Sequence, residues 1–350
     1  MKRYNSIELL RFLTSLSVLL YHYRHFYYPL NFLSDQNYST FKNDLPFSFV
    51  ASLFYEFGFY GVHVFYTISG FVFAYVYLSS TKVSSFKQYS VNRFARLYPL
   101  HFITLIYVAS FQILYMIDYG NFQLGYINDL YHFFLQIFFI SAWGFENGNS
   151  FNAPIWSVSV EIGIYILFFL LLNIIKKYNF LFLIIFSIIL IIIDKSEIFQ
   201  TLFIECARLF FSGIIIYYIY ERFIAKKILF FLSSFLLLFI AFIGNFKTYV
   251  FCPGILMMFL SFENNIKSFQ IKNIFSKLGN MTYSLYLMHV PVQLTIILLI
   301  NKLNIGFDVF GSGYFFFFYF ILLFIISQTI FIFYEKPLNN SIRKFFLKKN

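Results

Sequence analysis

The residue pair best suited to chemistry is Arg11 and His22, which open and close the segment RFLTSLSVLLYH. At ~100° per residue their spacing amounts to three turns plus about 20°, so a helix carries both side chains on one face, roughly 16 Å apart along its axis. Imidazole exchanges a proton near neutral pH, and a guanidinium binds anions through paired hydrogen bonds. Two interpretations stay open: a functional site, or a snorkelling arginine plus a histidine satisfied by a helix–helix hydrogen bond.

Four further segments place polar residues inside apolar runs. They hold His63 and Ser69 in GVHVFYTISGF, Arg93 and Arg96 in NRFARLYPLH, Glu161 in APIWSVSVEIGIYIL and His289 in GNMTYSLYLMHVPV. An ionisable group within a membrane span is costly unless it is paired or has a function. For the glutamate, a structural ion pair with a histidine or arginine is the alternative. For Ser69 and the glycine after it, we favour helix packing.

The two arginines at the start of the third apolar run are neighbours on a helix surface, because Arg93 and Arg96 are three residues apart. Guanidinium groups suit phosphate, which they bind through two parallel hydrogen bonds. Lys82 and Lys87, just upstream, add positive charge. Ordinary topology-setting charge at the cytoplasmic side explains the same residues, so both interpretations stay open.

Composition places the whole chain in a membrane. Of its 350 residues 60% are hydrophobic, 25% are aromatic and only 12% are charged, which is more apolar surface than a soluble domain of this length can bury. The net charge is +11, but the basic residues fall in short loops rather than on one soluble face, which argues against nucleic-acid binding. The two cysteines lie in separate apolar runs and indicate neither a disulfide framework nor a metal site.

Apolar runs long enough to cross a bilayer predict an all-α polytopic protein with about ten transmembrane helices. The predicted spans are residues 9–28, 58–79, 98–117, 154–175, 179–194, 201–220, 228–244, 248–262, 281–300 and 314–334. We treat the run 130–143 as non-crossing, because most of the 26 lysines and arginines then lie on the cytoplasmic side, together with both termini. Residues 118–153 become one long external segment, and we expect residues 1–350 to form a single multi-pass domain of the cell inner or plasma membrane.

Together these segments make the chain resemble the acyltransferase 3 family of integral membrane O-acyltransferases, which acylate bacterial cell-surface glycans. The resemblance runs from Ser6 to about Pro337. The family's motifs are matched, in order, by Arg11 with His22, Gly61–Phe71, Arg93–Pro99, Trp156–Glu161, Tyr283–Pro291 and Glu335–Pro337. In the second of these, His63 stands where an acidic residue is frequent, and Tyr66 replaces a phenylalanine.

The resemblance implies acyl transfer from cytoplasmic acetyl-CoA, a co-substrate, to a hydroxyl of a cell-envelope or exported polysaccharide, with no metal. Arg11, Arg93 and Arg96 would bind the donor. We expect His22 to act as general base on the acceptor hydroxyl, with an acyl-histidine relay as the competing version. Glu161 would orient or electrostatically support the catalytic site.

The remaining polar residues and partners follow from the same resemblance. We expect His63, Ser69 and His289 to contact the acceptor or carry a proton. The expected partners are a glycan or glycolipid acceptor, acyl-CoA, the lipid bilayer and other glycan-assembly proteins, and not nucleic acid. A secondary transporter or flippase for a lipid-linked sugar or small solute is the main alternative, with the buried ionisable groups as a proton relay. A structural membrane subunit is a third.

Overall fold

The part of the chain that the structure describes is predominantly helical. A computed structural model describes residues 3–27, 38–79, 85–124, 127–195, 201–223, 227–244 and 248–347; Lys82 lies outside them. The helices are α1 Asn5–Tyr23, α2 Tyr38–Phe41, α3 Ser48–Phe57, α4 Gly61–Phe73, α5 Phe86–Tyr119, α6 Leu130–Ile137, α7 Ile155–Lys195, α8 Leu202–Phe223, α9 Lys227–Ile243, α10 Thr248–Ser261, α11 Phe269–Asn280, α12 Thr282–Lys302, α13 Gly313–Ile330 and α14 Lys336–Leu347. Those ranges contain no strand.

The predicted all-α, polytopic architecture is confirmed. Six helical stretches among the described residues are long and apolar enough to cross a membrane: Ser48–Leu78, Phe86–Tyr119, Ile155–Lys195, Leu202–Phe223, Thr282–Lys302 and Gly313–Leu347. The predicted spans 154–175 and 179–194 both fall in α7, which Asn179 interrupts with a non-helical φ of 49° and ψ of −129°. The count of ten crossings and the cytoplasmic termini stay predictions.

The chain groups into two compact units. Unit 1 comprises Met1–Thr14, Tyr60–Ser85 and Val160–Asn280, and unit 2 comprises Ser15–Phe59, Phe86–Ser159 and Met281–Asn350. Each contains residues distant in sequence, because membrane helices associate through close packing and interhelical hydrogen bonds, whatever their separation along the chain. The single-domain organisation stays a prediction.

Unit 1 is built around the close approach of α4 and α8. A Cβ atom on Gly70 would collide with the backbone of Phe210, and one on Gly213 would collide with the carbonyl oxygen of Thr67. Small residues at a helix crossing let the backbones approach closely. Gly70 therefore has the helix-packing role that the sequence favoured for Ser69 and Gly70.

Unit 2 contains the long segment between α5 and α7, whose one described helix, α6, is too short to cross a bilayer. Its eight residues span about 12 Å; that the segment does not cross the membrane stays a prediction. Asp129 caps α6 by accepting a hydrogen bond from the backbone N–H of His132 at 2.8 Å. The His132 ring also donates from Nδ1 to Asp129 at 2.7 Å, and its Nε2 accepts the Asn147 backbone N–H at 3.2 Å. The segment is thus folded around a buried histidine.

Candidate active site

The end of α1 positions His22. After Tyr23 the chain tightens into a 3-10 turn, Arg24–Tyr27. The Tyr23 hydroxyl donates to the carbonyl oxygen of Phe310 at 2.7 Å, and the buried guanidinium of Arg24 lies 3.7 Å from the centroid of the Tyr21 ring. On the α12 side, the Gln293 amide donates to the backbone carbonyl of His22 at 2.8 Å. These contacts hold the helix end, and with it the imidazole, in one orientation.

Three histidine rings meet at this point in unit 2. Nδ1 of His22 lies 3.4 Å from Nδ1 of His25, and the centroids of the His22 and His289 rings are 4.8 Å apart. The helix–helix hydrogen bond of the structural interpretation is not what the described residues show, because the His22 ring bonds within its own turn. That bond uses Nδ1 and leaves Nε2 to the surroundings.

The ring of His289 has a defined tautomer. Its Nδ1 lies 2.6 Å from the carbonyl oxygen of Tyr286, and a carbonyl only accepts, so Nδ1 carries the proton. In neutral imidazole Nε2 is then an unprotonated acceptor. This nitrogen is fully buried and finds no hydrogen-bond partner among the residues that the structure describes. Such an unpartnered group is costly in a membrane protein and marks a candidate functional residue.

A cleft of about 350 Å³, opening included, adjoins the histidines. It is lined by His22, His25, Leu124, Ala153, Pro154, Val290, Gln293, Leu294 and Ile297. Three polar side chains converge on an otherwise apolar wall, the usual composition of a small-molecule site. The cleft thus presents imidazole nitrogen atoms to a small group that enters it.

Pro291 interrupts the hydrogen bonding of α12, and the carbonyl left without its helical donor bonds to the residues just before α7. A proline inside a helix removes the N–H that would bond to the carbonyl four residues earlier. That carbonyl belongs to Leu287, and the Asn152 amide donates to it at 3.3 Å instead. The Tyr286 hydroxyl donates to the carbonyl of Pro154 at 2.9 Å. The cleft-lining Ala153 and Pro154 are therefore fixed against α12.

Further polar bonds connect α5, α12 and the π-helical turn Phe331–Glu335 that precedes α14. The Tyr283 hydroxyl donates to the carbonyl of Leu97 at 2.6 Å, the Tyr334 hydroxyl donates to that of Pro99 at 3.2 Å, and the Ser284 hydroxyl donates to the Glu335 carboxylate at 2.6 Å. Three segments far apart in the sequence thus meet in unit 2. The half-buried Arg93 and Arg96 lie on α5, within two turns of Pro99.

Arg11 lies in unit 1, on the same helix as His22, and its guanidinium pairs with the carboxylate of Glu8. Its Nη1 is 3.4 Å from Oε2 of Glu8, whose Oε1 accepts a hydrogen bond from Nε of Arg3 at 2.9 Å. Close by, the carboxylate of Glu263 accepts from the backbone N–H of Ser6 at 2.7 Å and so caps α1. Anything that binds to Arg11 must share it with Glu8.

Unit 1 also contains the other predicted site residues. His63 on α4 is buried, and its Nε2 lies 2.9 Å from Oε1 of Glu205 on α8. Ser69 lies half-buried on α4, and Glu161 lies half-buried near the start of α7. The structure thus brings His22 and His289 together in unit 2, and it gives His63 a carboxylate that sequence reasoning did not single out.

Several site residues were missed from the sequence. His25 follows His22 by three residues, a spacing at which side chains eclipse in a 3-10 turn; this is the signal that could have found it. Glu8 precedes Arg11 by three residues on α1, the spacing at which helix side chains meet, so the sequence contained that signal. Glu205 required knowledge of which distant helices pack together. The aromatic support of Arg24 by Tyr21 was likewise not predicted.

Comparison with known proteins agrees with the geometry. A family model described as an acyltransferase domain matches residues 4–332, nearly the whole chain. The chain belongs to the acyltransferase 3 family. No curated protein and no solved structure matches it. With its apolar helices, this membership makes the chain a multi-pass membrane acyltransferase and favours an enzyme over the transporter alternative.

Proposed function

We propose that this acyltransferase moves an acetyl group from cytoplasmic acetyl-CoA to a hydroxyl of a cell-envelope or exported polysaccharide. One observation carries the proposal: His22 lines the cleft of unit 2 with Nδ1 engaged and Nε2 left for a substrate. A base nitrogen held within a cleft is what acyl transfer to a weakly acidic hydroxyl requires.

In the proposed reaction Nε2 of His22 removes the proton from the acceptor hydroxyl as its oxygen attacks the thioester carbonyl. The carbon–sulfur bond then breaks, and the proton passes from His22 to the departing CoA thiolate. The products are an ester and the free thiol, so the histidine ends neutral. In the competing version, Nε2 itself attacks the carbonyl and carries the acyl group to the acceptor. Both versions need the same nitrogen.

His289 is the second proton acceptor in this proposal. Its unprotonated Nε2 is buried, and its ring lies beside that of His22. It would contact the acceptor hydroxyl or relay the proton from His22 on its way to the CoA thiolate. The resulting pair of imidazoles explains why an unpartnered buried nitrogen persists here, since a group kept for a reacting molecule cannot also be satisfied by the protein.

Arginine side chains would bind the phosphates of the donor, acetyl-CoA. Arg93 and Arg96 lie one helical turn apart on α5, which suits two phosphate contacts. Arg11 would contribute more weakly, because Glu8 already neutralises part of its charge. Glu161 would support the site electrostatically, and His63 and Ser69 would serve the acceptor or a proton path; these roles rest on the family resemblance.

Thiol release from acetyl-CoA tests the proposed function. Purified protein would be given a panel of capsule, lipopolysaccharide and peptidoglycan preparations, with wild type compared to His22→Ala. We expect turnover with at least one glycan and a loss of ~10²–10⁴-fold in the variant. Equal turnover by both proteins, with the variant folded, would remove His22 from the mechanism.

A further inference from the structure

We infer that His25 is a positioning residue that sets the tautomer of His22. Its Nδ1 accepts a hydrogen bond from the Nδ1–H of His22, which keeps Nε2 of His22 unprotonated and able to act as a base. This inference rests on the proposed function for its catalytic meaning. The geometry of the cleft supplies the contact between the two Nδ1 atoms, and the proposed role of His22 as a base assigns the proton to His22.

The backbone explains why the two rings meet. In a 3-10 turn the side chains of residues i and i+3 eclipse, whereas in an α-helix they are offset. The chain changes from α1 to the 3-10 turn between His22 and His25. The rings consequently meet edge to face, with centroids 4.7 Å apart at 79° and the two Nδ1 atoms 3.4 Å apart.

The position of His25 is fixed from both sides along the chain. The preceding residue, Arg24, is buried with its guanidinium over the Tyr21 ring, and the following residue, Phe26, is buried against Phe310 with ring centroids 4.8 Å apart. Two buried anchors leave the residue between them little freedom. His25 is therefore built into the turn and not merely a neighbour of His22.

The contact between the two rings allows two arrangements of the proton. A hydrogen bond between two imidazole nitrogens needs one donor and one acceptor, so only one Nδ1 carries a proton. If His22 donates, its Nε2 is unprotonated and can act as a base in the lining of the cleft. If His25 donates, His22 must accept at Nδ1 and carries its proton on Nε2, where it can no longer take one from a hydroxyl. The proposed base therefore requires His25 to accept.

The matched variants are His25→Asn and His25→Phe. The Oδ1 atom of asparagine takes roughly the place of Nδ1 and can accept the same bond. Phenylalanine keeps a planar ring in the edge-to-face contact but cannot accept. Tyr27→Phe is the control, since it lies in the same turn, outside the lining of the cleft, and loses only a hydroxyl that donates to the carbonyl of Asp44 at 2.9 Å.

The first readout needs no substrate: histidine side-chain ¹⁵N spectra of the full-length protein in lipid nanodiscs, with His22 assigned by its absence in His22→Ala. We expect neutral His22 to be protonated on Nδ1 in wild type, His25→Asn and Tyr27→Phe, and to move toward protonation on Nε2 in His25→Phe. Protonation on Nε2 in wild type would overturn the inference.

The second readout is turnover of acetyl-CoA with a glycan that wild type acetylates. We expect kcat of His25→Phe to fall by between tenfold and the ~10²–10⁴-fold loss expected for removing the base, with KM for acetyl-CoA within about twofold, and His25→Asn to recover most of the loss. Unchanged kcat in a folded His25→Phe protein would overturn the inference. Failure of wild type to use any glycan would count against the proposed function instead, and the spectra would still decide the tautomer.

Discussion

At the scale of single residues, the site is a set of imidazoles whose nitrogens are assigned by their partners. The carbonyl of Tyr286 fixes the proton of His289 on Nδ1, and the contact with His25 involves Nδ1 of His22. The sequence predicted His22 and His289 because each interrupts an apolar run. It could not predict that they meet, because more than 260 residues separate them along the chain and only helix packing brings them together.

The arginine pair on α5 gives a prediction at this scale. Arg93→Ala/Arg96→Ala should raise KM for acetyl-CoA by roughly tenfold or more, since charge-assisted hydrogen bonds contribute about 1.5–3 kcal/mol each, while kcat changes little. Steady-state thiol release at varied acetyl-CoA concentration measures both constants.

The matched control is Lys302→Ala, which removes an exposed cation paired with Asp118 at 3.0 Å in the same unit. Its KM should stay near that of wild type. An unchanged KM in the double arginine variant would assign those residues to topology alone and leave the donor site elsewhere.

At the scale of elements, the crossing of α4 and α8 depends on two glycines. Gly70→Ala should destabilise the protein by about 1–3 kcal/mol, the usual cost of overpacking, because the new Cβ meets the backbone of Phe210, which cannot rotate away. Thermal unfolding in detergent, followed by intrinsic fluorescence, would measure the change.

The control for that substitution is Gly306→Ala, at an exposed position where an added Cβ meets only the Asp308 carboxylate, at 3.9 Å. It should leave the melting temperature almost unchanged. Equal melting temperatures for wild type and Gly70→Ala would mean that α4 and α8 separate readily.

The segment between α5 and α7 gives a pH-dependent prediction. The backbone N–H of His132, followed by its ring, holds the pKa of Asp129 below its usual value of 3.8. A depressed folded-state pKa adds stability that is present above the unfolded value and is lost as the pH falls through the folded value. The segment 127–151 should therefore keep its protection at neutral pH and lose it only below about pH 4.

Hydrogen–deuterium exchange, corrected for the intrinsic pH dependence of exchange, would test this. In Asp129→Asn the amide oxygen still accepts from the backbone of α6, but nothing titrates at that position. Its segment should exchange somewhat faster at pH 7 and lack the acid-dependent step of wild type. An identical acid-dependent step in both proteins would assign the effect to another group.

At the scale of the whole molecule, apolar runs and charge distribution were enough to predict an all-α polytopic protein. The predicted boundary between 154–175 and 179–194 lies within α7, at the interruption by Asn179. The partner of Arg11 could have been predicted, because Glu8 lies three residues earlier on the same helix. The partner of His63 could not, because Glu205 lies on another helix and only the packing of α4 against α8 brings the two together.

The central claim is that His22 of this membrane acyltransferase drives transfer of an acetyl group to a glycan. The most direct measurement follows radiolabel from acetyl-CoA into purified envelope glycans, with wild-type protein and His22→Ala in parallel and both shown to be folded and inserted. We predict label in one class of glycan with wild type and ~10²–10⁴-fold less with the variant. Label incorporated equally by both proteins, or into no glycan by wild type, would contradict the account.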